Sequence, residues 1–219
     1  MRKIILILTL LLTQSCSALE SDYDKLMNPI KKIKLAEEKA GKPSLAFDGA
    51  VEPKFPDEEE NNKTLEGVDS NHDGVRDDIE IWINRTAEDE YVRASLKESY
   101  RKQIDFFNSL YHNEPEAKVH PRLSTYSAVD GCVAILTAAY DKTYLSKYKK
   151  DATTFYTNVL VNIFFSNTSL RAEQISKWNG FNFNGTIGGD SDVECIKYSF
   201  GKRYIEILES YKKNNSRKN

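Results

Sequence analysis

The sequence predicts an all-α fold in which about five helices pack as a bundle, after a leader segment and a flexible linker. Two observations predict this class. Apolar residues recur at steps of three and four through residues 68–213, which is the period of amphipathic helices. The alternation typical of a half-buried β-strand does not extend beyond four residues, and no internal repeat is present. We therefore divide the chain into residues 1–15, 16–67, 68–213 and 214–219.

The start of the chain predicts export. Two basic residues precede an apolar run over residues 4–12, which is too short to remain as a membrane span and is typical of a secretory signal peptide. Residues 12–16, Leu-Thr-Gln-Ser-Cys, also resemble the bacterial lipoprotein box. This resemblance implies lipidation of Cys16 and, with Ser17 after it, an anchor at the outer membrane facing the periplasm. The alternative is a secreted protein that is cut after Ala18 and loses Cys16.

The cysteine count predicts a disulfide. The chain has three cysteines, and Cys132 and Cys195 remain if Cys16 is lipidated or removed. Unpaired thiols are unusual in an oxidising compartment, so we expect these two to be bonded. By chain entropy, a bridge that closes a loop of this length stabilises a fold by roughly 4 kcal/mol. The alternative is that they are two separate buried thiols.

Residues 16–67 are predicted to form a tether and linker. Apolar residues at helical spacing predict one amphipathic helix over residues 23–39, with five lysines. That helix either lies on an anionic lipid surface near the anchor or stays solvated. Residues 41–67 contain three prolines and the acidic run 57–60, a composition that predicts a flexible linker. The apolar residues of the helix are Leu26, Ile30, Ile33 and Ala36, and the lysines are Lys25, Lys31, Lys32, Lys34 and Lys39.

Residues 69–80 have the composition and spacing of a calcium-binding loop. Their sequence is Asp-Ser-Asn-His-Asp-Gly-Val-Arg-Asp-Asp-Ile-Glu, with oxygen-bearing side chains at positions 1, 3, 5, 9 and 12 and glycine at position 6. Ca²⁺ takes six to eight hard oxygen ligands, and the glycine permits the sharp turn around the ion. This pattern predicts one Ca²⁺ per chain. The predicted ligands are Asp69, Asn71, Asp73, the carbonyl of Val75, Asp77 and Glu80. The alternative is an Asx-rich turn that only caps the next helix at Asp77.

The loop resembles that of EF-hands and, more closely, the thrombospondin type 3 repeats, in which valine also follows the glycine. It differs from EF-hand pairs because Arg76 replaces a buried aliphatic residue and because no entering helix precedes it. It differs from thrombospondin arrays because it occurs once. The pattern Asp-x-Asn-x-x-Gly-Val-Arg-Asp-Asp-x-Glu is also similar to that of bacterial lipoproteins with a single such loop before a helical domain. The resemblance implies no activity, and the differences favour a structural calcium site over a paired sensor.

The first predicted helices follow the loop directly. Asp77 suits the positive end of a helix dipole, and Ile79 and Trp82 supply the first apolar face. Thr86 is predicted to cap the next helix, whose apolar stripe covers residues 92–111.

Prolines and helix-capping residues separate the remaining predicted helices. Pro115 and Pro121 predict a break before a long helix over residues 124–149, and Asp151 is predicted to cap a third long helix. A short helix ending near residue 179 is predicted to begin at Asn167-Thr168-Ser169. An exposed loop over 181–191, a last helix over 193–213 and a disordered tail from Asn214 complete the chain.

The sequence contains no recognisable catalytic motif of the serine-hydrolase elbow, zinc-protease, P-loop or CxxC types. The formal net charge of −2 predicts no nucleic-acid partner. We therefore expect a non-enzymatic domain that binds a protein or peptide, of the immunity type or the envelope-assembly type. The alternative is a cell-wall or lipid hydrolase with an acid near His112 or His120. The twelve tyrosines either pack in the core or line an aromatic groove.

Overall fold

A computed structural model describes residues 21–47, 49–148, 156, 159–165, 167–179 and 191–215, and it confirms the predicted all-α fold. The helices are α1 (Asp22–Lys39), α2 (Glu58–Asn61), α3 (Asp77–Thr86), α4 (Glu90–Tyr111), α5 (Glu116–Tyr148), a π-helical segment (Val159–Phe164), α6 (Ser169–Asn179), α7 (Ser191–Ile196) and α8 (Gly201–Asn215). Within these ranges there is no strand, only an isolated antiparallel bridge between Leu45 and Val51. No helix among the described residues is long and apolar enough to cross a membrane.

Helices α4 and α5 form the centre of the bundle and make its most extensive interhelical contact. Helices α7 and α8 pack on α5, and α6 and α3 pack on α4. The predicted stripe on α4 faces the core at Leu96, Tyr100 and Phe107, which are buried, but its last residue, Tyr111, is 42% exposed. Phe106, which the stripe did not include, is also fully buried. Val129 and Leu136 bury the facing side of α5. Helical spacing of apolar residues therefore gives the correct interior of this pair.

Asp89 caps α4, and the prediction of Thr86 as the cap is wrong. The Asp89 carboxylate accepts hydrogen bonds from the N–H groups of Tyr91 and Val92, at 2.9 and 3.0 Å. Thr86 instead lies in the last turn of α3, where its hydroxyl donates to the Trp82 carbonyl at 2.7 Å. A threonine hydroxyl bonds readily to the carbonyl four residues earlier, so the same residue type suits either end of a helix.

The long helix α5 begins at Glu116, earlier than predicted, and includes Pro121. The carbonyl of Pro115 accepts the first backbone bond, from Lys118 at 2.8 Å. Pro121 lies in the second turn, where its missing N–H removes a single helical bond. The Thr125 hydroxyl donates to the Pro121 carbonyl at 2.9 Å. A proline so near a helix start therefore does not break this helix.

The last predicted helix is two helices, α7 and α8, that meet at Gly201. A Cβ at Gly201 would lie 2.5 Å from the Ile196 carbonyl oxygen, so the turn between the helices is too tight for any side chain there. This turn leaves Ile196 half exposed and directs Phe200 and Tyr204 into the core. A continuous helix would have kept all three on one face.

A disulfide joins Cys132 on α5 to Cys195 on α7, with a Cα–Cα distance of 5.9 Å. Both residues are fully buried. This geometry agrees with the predicted bridge and links the C-terminal helices to the centre of the bundle.

The described part of residues 16–67 packs into the domain, so the prediction of a flexible tether and linker there is corrected. Helix α1 contacts α3 and the π-helical segment, and its Met27 and Ile30 are buried. Leu65, in the stretch predicted to be a linker, is only 3% exposed. The helical domain therefore includes α1 and does not begin at residue 68. Composition gave the wrong answer because polar residues in this stretch find fixed partners in distant elements.

A buried ion cluster supplies those partners. The Lys34 ammonium is buried and lies 3.2 Å from a Glu52 carboxylate oxygen, while Arg85 of α3 donates to Glu52 and Glu37, both at 2.8 Å. Burial tends to raise the pKa of Glu52, but hydrogen bonds from Arg85 and Ser44 and the two nearby cations lower it below its usual value. The cluster fastens residues 44–52 to α1 and α3. Lys34, one of the five lysines of the predicted amphipathic helix, is therefore interior, which neither the lipid-surface nor the solvated alternative predicted.

Several predictions lie outside the described residues. They concern the signal peptide over residues 1–15, lipidation at Cys16, the helix cap at Asp151, most of the loop over residues 181–191 and the end of the tail. The third long helix is described over Val159–Phe164, where it is π-helical.

Candidate metal site

The loop over residues 69–80 is closed by its own first residue. The Asp69 carboxylate accepts hydrogen bonds from the N–H of Gly74 at 2.8 Å and of Asp73 at 3.2 Å. At the base of the loop, the Asp77 N–H donates to the Val68 carbonyl at 2.8 Å. Gly74 has φ +82°, a left-handed conformation that glycine adopts without strain. The glycine at position 6 thus makes the turn that the spacing predicts.

Three further side chains bond to backbone N–H groups of the same loop. Asn71 accepts from Asp73 at 3.1 Å, Asp73 accepts from Val75 at 2.8 Å, and Asp77 accepts from Ser70 at 3.0 Å. These bonds gather the predicted ligands on one compact turn. They are equally those of an Asx-rich turn that leads into α3, so loop geometry alone does not separate the two interpretations.

Two basic side chains of α4 reach the loop. The Lys97 ammonium lies 2.6 Å from one oxygen of Glu80, while the other oxygen accepts from the Asn71 amide at 3.0 Å. Arg101 donates to the Asp73 carbonyl at 2.6 Å and to its carboxylate at 3.2 Å. Sequence reasoning missed both residues. Their spacing of four on α4, which places them on one helix face, was the available signal.

The predicted ligands differ in burial. Val75 is fully buried, Asp77 and Glu80 are buried, Asp69 and Asp73 are half-buried, and Asn71 is exposed. Burial raises the pKa of the Asp77 carboxyl, its bonds with Ser70 lower it, and the charges of Asp69 and Glu80 raise it, with a net rise. The carboxylates therefore repel one another in the absence of a further cation.

Within the described ranges, no three Asp, Glu, His or Cys side chains converge as a metal-ligand set. In the loop, Glu80 turns towards Lys97 and Asp73 towards Arg101. The residue types still fit calcium, because Ca²⁺ also takes amide and backbone carbonyl oxygens. For all the predicted ligands to bind one Ca²⁺, Glu80 would have to break its contact with Lys97.

Position 8 of the loop, Arg76, belongs to a buried charge cluster. Its Nε donates to Asp78 Oδ1 at 2.5 Å, and the other Asp78 oxygen accepts from the Tyr23 hydroxyl at 2.5 Å and the Asn61 amide at 3.1 Å. Both Arg76 and Asp78 are buried. Burial tends to raise the pKa of the Asp78 carboxyl, but the charge and hydrogen bond of Arg76 lower it below its usual range. The loop is thereby tied to α1.

Arg171 of α6 is the second buried arginine of this cluster. It donates to the Leu65 carbonyl at 3.3 Å and to the side-chain oxygens of Asn62 and Asn167 at 3.2 and 2.9 Å. Burial, together with the charge of Arg76, lowers the pKa of Arg171 to about 10. Apart from Asn167, these partners are more than a hundred residues away in the sequence, so no local pattern could have predicted that Arg171 is buried here.

The histidines of the hydrolase hypothesis lie at the surface end of α4 and α5. His112 follows the last residue of α4, and His120 lies 2.9 Å from Glu116, whose side chain is 60% exposed. A cleft that joins either histidine to a buried carboxylate would favour the hydrolase hypothesis. The carboxylate beside the half-buried His120 is that of Glu116, which is exposed.

Comparisons with family models, with curated proteins and with solved structures found no match to this chain. The fold supports the class of an all-α domain with an acidic, Asx-rich loop at the start of α3.

Proposed function

We propose that this chain is a lipid-anchored, extracytoplasmic calcium-binding helical domain that binds a protein or peptide partner. One Ca²⁺ per chain would act as a folding cofactor. The observation that carries the calcium proposal is the oxygen spacing over residues 69–80, together with the closure of that loop by Asp69. The ligands would be Asp69, Asn71, Asp73, the Val75 carbonyl, Asp77 directly or through water, and Glu80.

The charges around the loop support a divalent ion. Four carboxylates of the predicted ligand set face two cations, Lys97 and Arg101, which leaves a formal charge of −2. One Ca²⁺ balances that charge. A monovalent ion would leave one carboxylate unbalanced in a half-buried site, which is unfavourable.

Lys97 is central to this proposal because it bonds to the residue at position 12. In calcium loops of this kind, that carboxylate binds the ion through both oxygens. Both oxygens of Glu80 are engaged, by Lys97 and by Asn71. Calcium would therefore compete with Lys97 for Glu80, and Lys97 would weaken the site.

The position of the loop supports a structural role for the ion. Residues 77–80 form the first turn of α3, and Ile79 and Trp82 of that helix are fully buried. Arg76 is buried in the charge cluster, whereas a paired EF-hand presents an aliphatic residue to its partner loop. A bound ion would thus stabilise the start of a core helix.

The proposals of a lipid anchor and of a protein or peptide partner are based on the sequence. The lipoprotein-like residues 12–16 support lipidation of Cys16 and a site at the outer membrane facing the periplasm, or secretion if Cys16 is not lipidated. The absence of a recognisable catalytic motif supports a binding module of the immunity or envelope-assembly type over a hydrolase. The carboxylate beside His120 is the exposed Glu116, which gives no reason to prefer the hydrolase.

Two substitutions with opposite expected effects test the calcium proposal. In calorimetric titration of the detergent-purified protein with CaCl₂, Glu80→Gln is expected to weaken binding at least about tenfold, since ligand charge sets the affinity of such loops. Lys97→Met is expected to tighten binding by about three- to tenfold, because it removes the competing cation.

Lys102→Met is the matched control for the lysine. Lys102 lies on the same helix but pairs with Glu98, outside the loop, so its replacement is expected to leave the calcium affinity unchanged. Equal affinity in wild type, Glu80→Gln and Lys97→Met would refute the ligand assignment.

A further inference from the structure

Residues 44–52 form a turn in which a charged side chain is buried and large apolar side chains are exposed. The Ala46 N–H donates to the Ala50 carbonyl at 2.9 Å, and the Glu52 N–H donates to the Ser44 carbonyl at 2.9 Å. Together with the Leu45–Val51 bridge, these bonds fix the alternation of side chains between two faces. We call this segment the 44–52 turn.

Ser44 and Glu52 of the 44–52 turn point inward, whereas its large apolar side chains, Leu45, Phe47 and Val51, point outward. Ser44 and Glu52 bond to Arg85 in the buried ion cluster. Leu45, Phe47 and Val51 remain 41%, 56% and 79% exposed. Folding therefore fixes these three apolar side chains in water, where they contribute nothing to the stability of the chain itself. Clustered apolar side chains on a fixed turn are typical of an interaction surface.

Two exposed lysines flank this apolar cluster in the sequence, Lys42 before the turn and Lys54 after it. Residues 31–54 contain six lysines and four acids, which is a net charge of +2. Two of these acids, Glu37 and Glu52, pair with Arg85 in the buried ion cluster.

We propose that the 44–52 turn and its flanking lysines bind the surface of an anionic lipid bilayer. Apolar side chains beside lysines suit the boundary between anionic headgroups and acyl chains. This binding surface is separate from the proposed lipid anchor, but the anchor would keep it close to the bilayer. If Cys16 is lipidated, the six residues from there to Asp22 extend at most about 20 Å, so α1 stays near the bilayer. The turn follows α1 and is fastened to it through Ser44 and Lys34.

A second copy of the chain is a poorer occupant for this surface. Three partly exposed side chains offer far less area than the ~800 Å² per partner that a standard protein interface buries. In a symmetric pair, the flanking lysines would also face one another and repel.

Vesicle binding by the full chain carrying Cys16→Ser tests this proposal, because that variant cannot be lipidated. We expect it to bind vesicles of phosphatidylglycerol and phosphatidylethanolamine, and to bind phosphatidylcholine vesicles more weakly. Phe47→Ser is expected to weaken binding about tenfold, since it removes the largest apolar side chain of the turn. Lys42→Gln is expected to weaken it about fivefold and to reduce its dependence on salt.

Val193→Ser is the matched control, because Val193 is an equally exposed apolar residue on α7 (53%). Its replacement is expected to leave vesicle binding unchanged. Vesicle binding that is absent, or that Phe47→Ser leaves unchanged, would overturn the proposal. So would a dimer in sedimentation equilibrium that Phe47→Ser dissociates. None of these outcomes depends on calcium or on lipidation, so a failure here is distinct from a failure of the proposed function.

Discussion

Replacement of Asp78 by alanine is expected to lower the free energy of unfolding by about 3–5 kcal/mol, the usual loss when one partner of a buried ion pair is removed. Asp78 is the carboxylate that bonds to the buried Arg76, and Arg171 lies close enough to affect its pKa. Alanine would leave buried guanidinium charge without a counter-ion. It would also remove the acceptor for the Tyr23 hydroxyl, which ties α1 to the loop. Urea denaturation with a calcium chelator present measures this effect.

Two variants complete that experiment. Asp78→Asn keeps the size of the side chain but not its charge, so most of the loss is expected to remain if the ion pair is responsible. Asp105 pairs with Arg122 at the surface, and the Asp105 side chain is 55% exposed. Asp105→Ala is therefore expected to lower the free energy of unfolding by at most ~1 kcal/mol. Equal losses for Asp78→Ala and Asp105→Ala would contradict the buried cluster.

Loss of the disulfide is expected to cost roughly 4 kcal/mol of unfolding free energy. The bridge joins residues 63 apart, and by chain entropy a loop of that length restricts the unfolded chain to this extent. The double variant Cys132→Ala and Cys195→Ala removes the bridge together with two buried sulfur atoms. Reduction of the wild type removes the bridge alone. Denaturation curves of both forms separate the crosslink from the packing.

The comparison has an internal control. A reductant is expected to destabilise the wild type and to leave the double variant unchanged. If the reductant has no effect on a wild-type protein whose thiols are shown to become reactive, the bridge does not stabilise the fold as described.

Local patterns predicted the centre of the fold. The stripe over residues 92–111 identified α4 and its core face because a helix of about six turns averages out individual exceptions. The closed turn over residues 69–80 could also be predicted, because its residues lie within one short stretch, while calcium binding there stays a prediction. The turn at Gly74 and the bonds to Asp69 depend on nothing outside that stretch.

Long-range contacts decided what the sequence could not predict. Glu52 lies in a polar, proline-containing stretch that is typical of a solvated linker, yet Lys34 of α1 and Arg85 of α3 hold it in a buried cluster. Arg171 has partners more than a hundred residues away. From a single sequence one can state that burying such a charge is unfavourable, but not which distant residue will pair with it and offset that free energy.

Ambiguous residue chemistry accounts for the remaining errors. Thr86 suits either a helix start or a helix end, and Pro121 is tolerated near the start of α5. The break between α7 and α8 at Gly201 depends on a close approach to the Ile196 backbone, which exists only in the folded chain. Each correction moves a helix boundary and leaves the fold class unchanged.

The proposed calcium site makes the start of α3 the place where a ligand adds stability to the whole domain. The loop, the buried Arg76 and Asp78, and the tie from Tyr23 to α1 form one connected set of contacts. A ligand that binds only the folded chain stabilises it in proportion to the logarithm of its concentration once the site begins to fill. Even a weak site with a Kd of about 10⁻⁴–10⁻³ M would be filled where calcium is near millimolar.

The most direct test is the unfolding free energy of the detergent-purified protein, measured by denaturation at free calcium concentrations from about 10⁻⁵ to about 10⁻² M. We expect a rise that reaches about 1.4 kcal/mol for each tenfold increase above the Kd, and a much smaller rise in Glu80→Gln. An unfolding free energy that does not change with calcium in the wild type, or that rises equally in Glu80→Gln, would contradict calcium as a folding cofactor bound by residues 69–80.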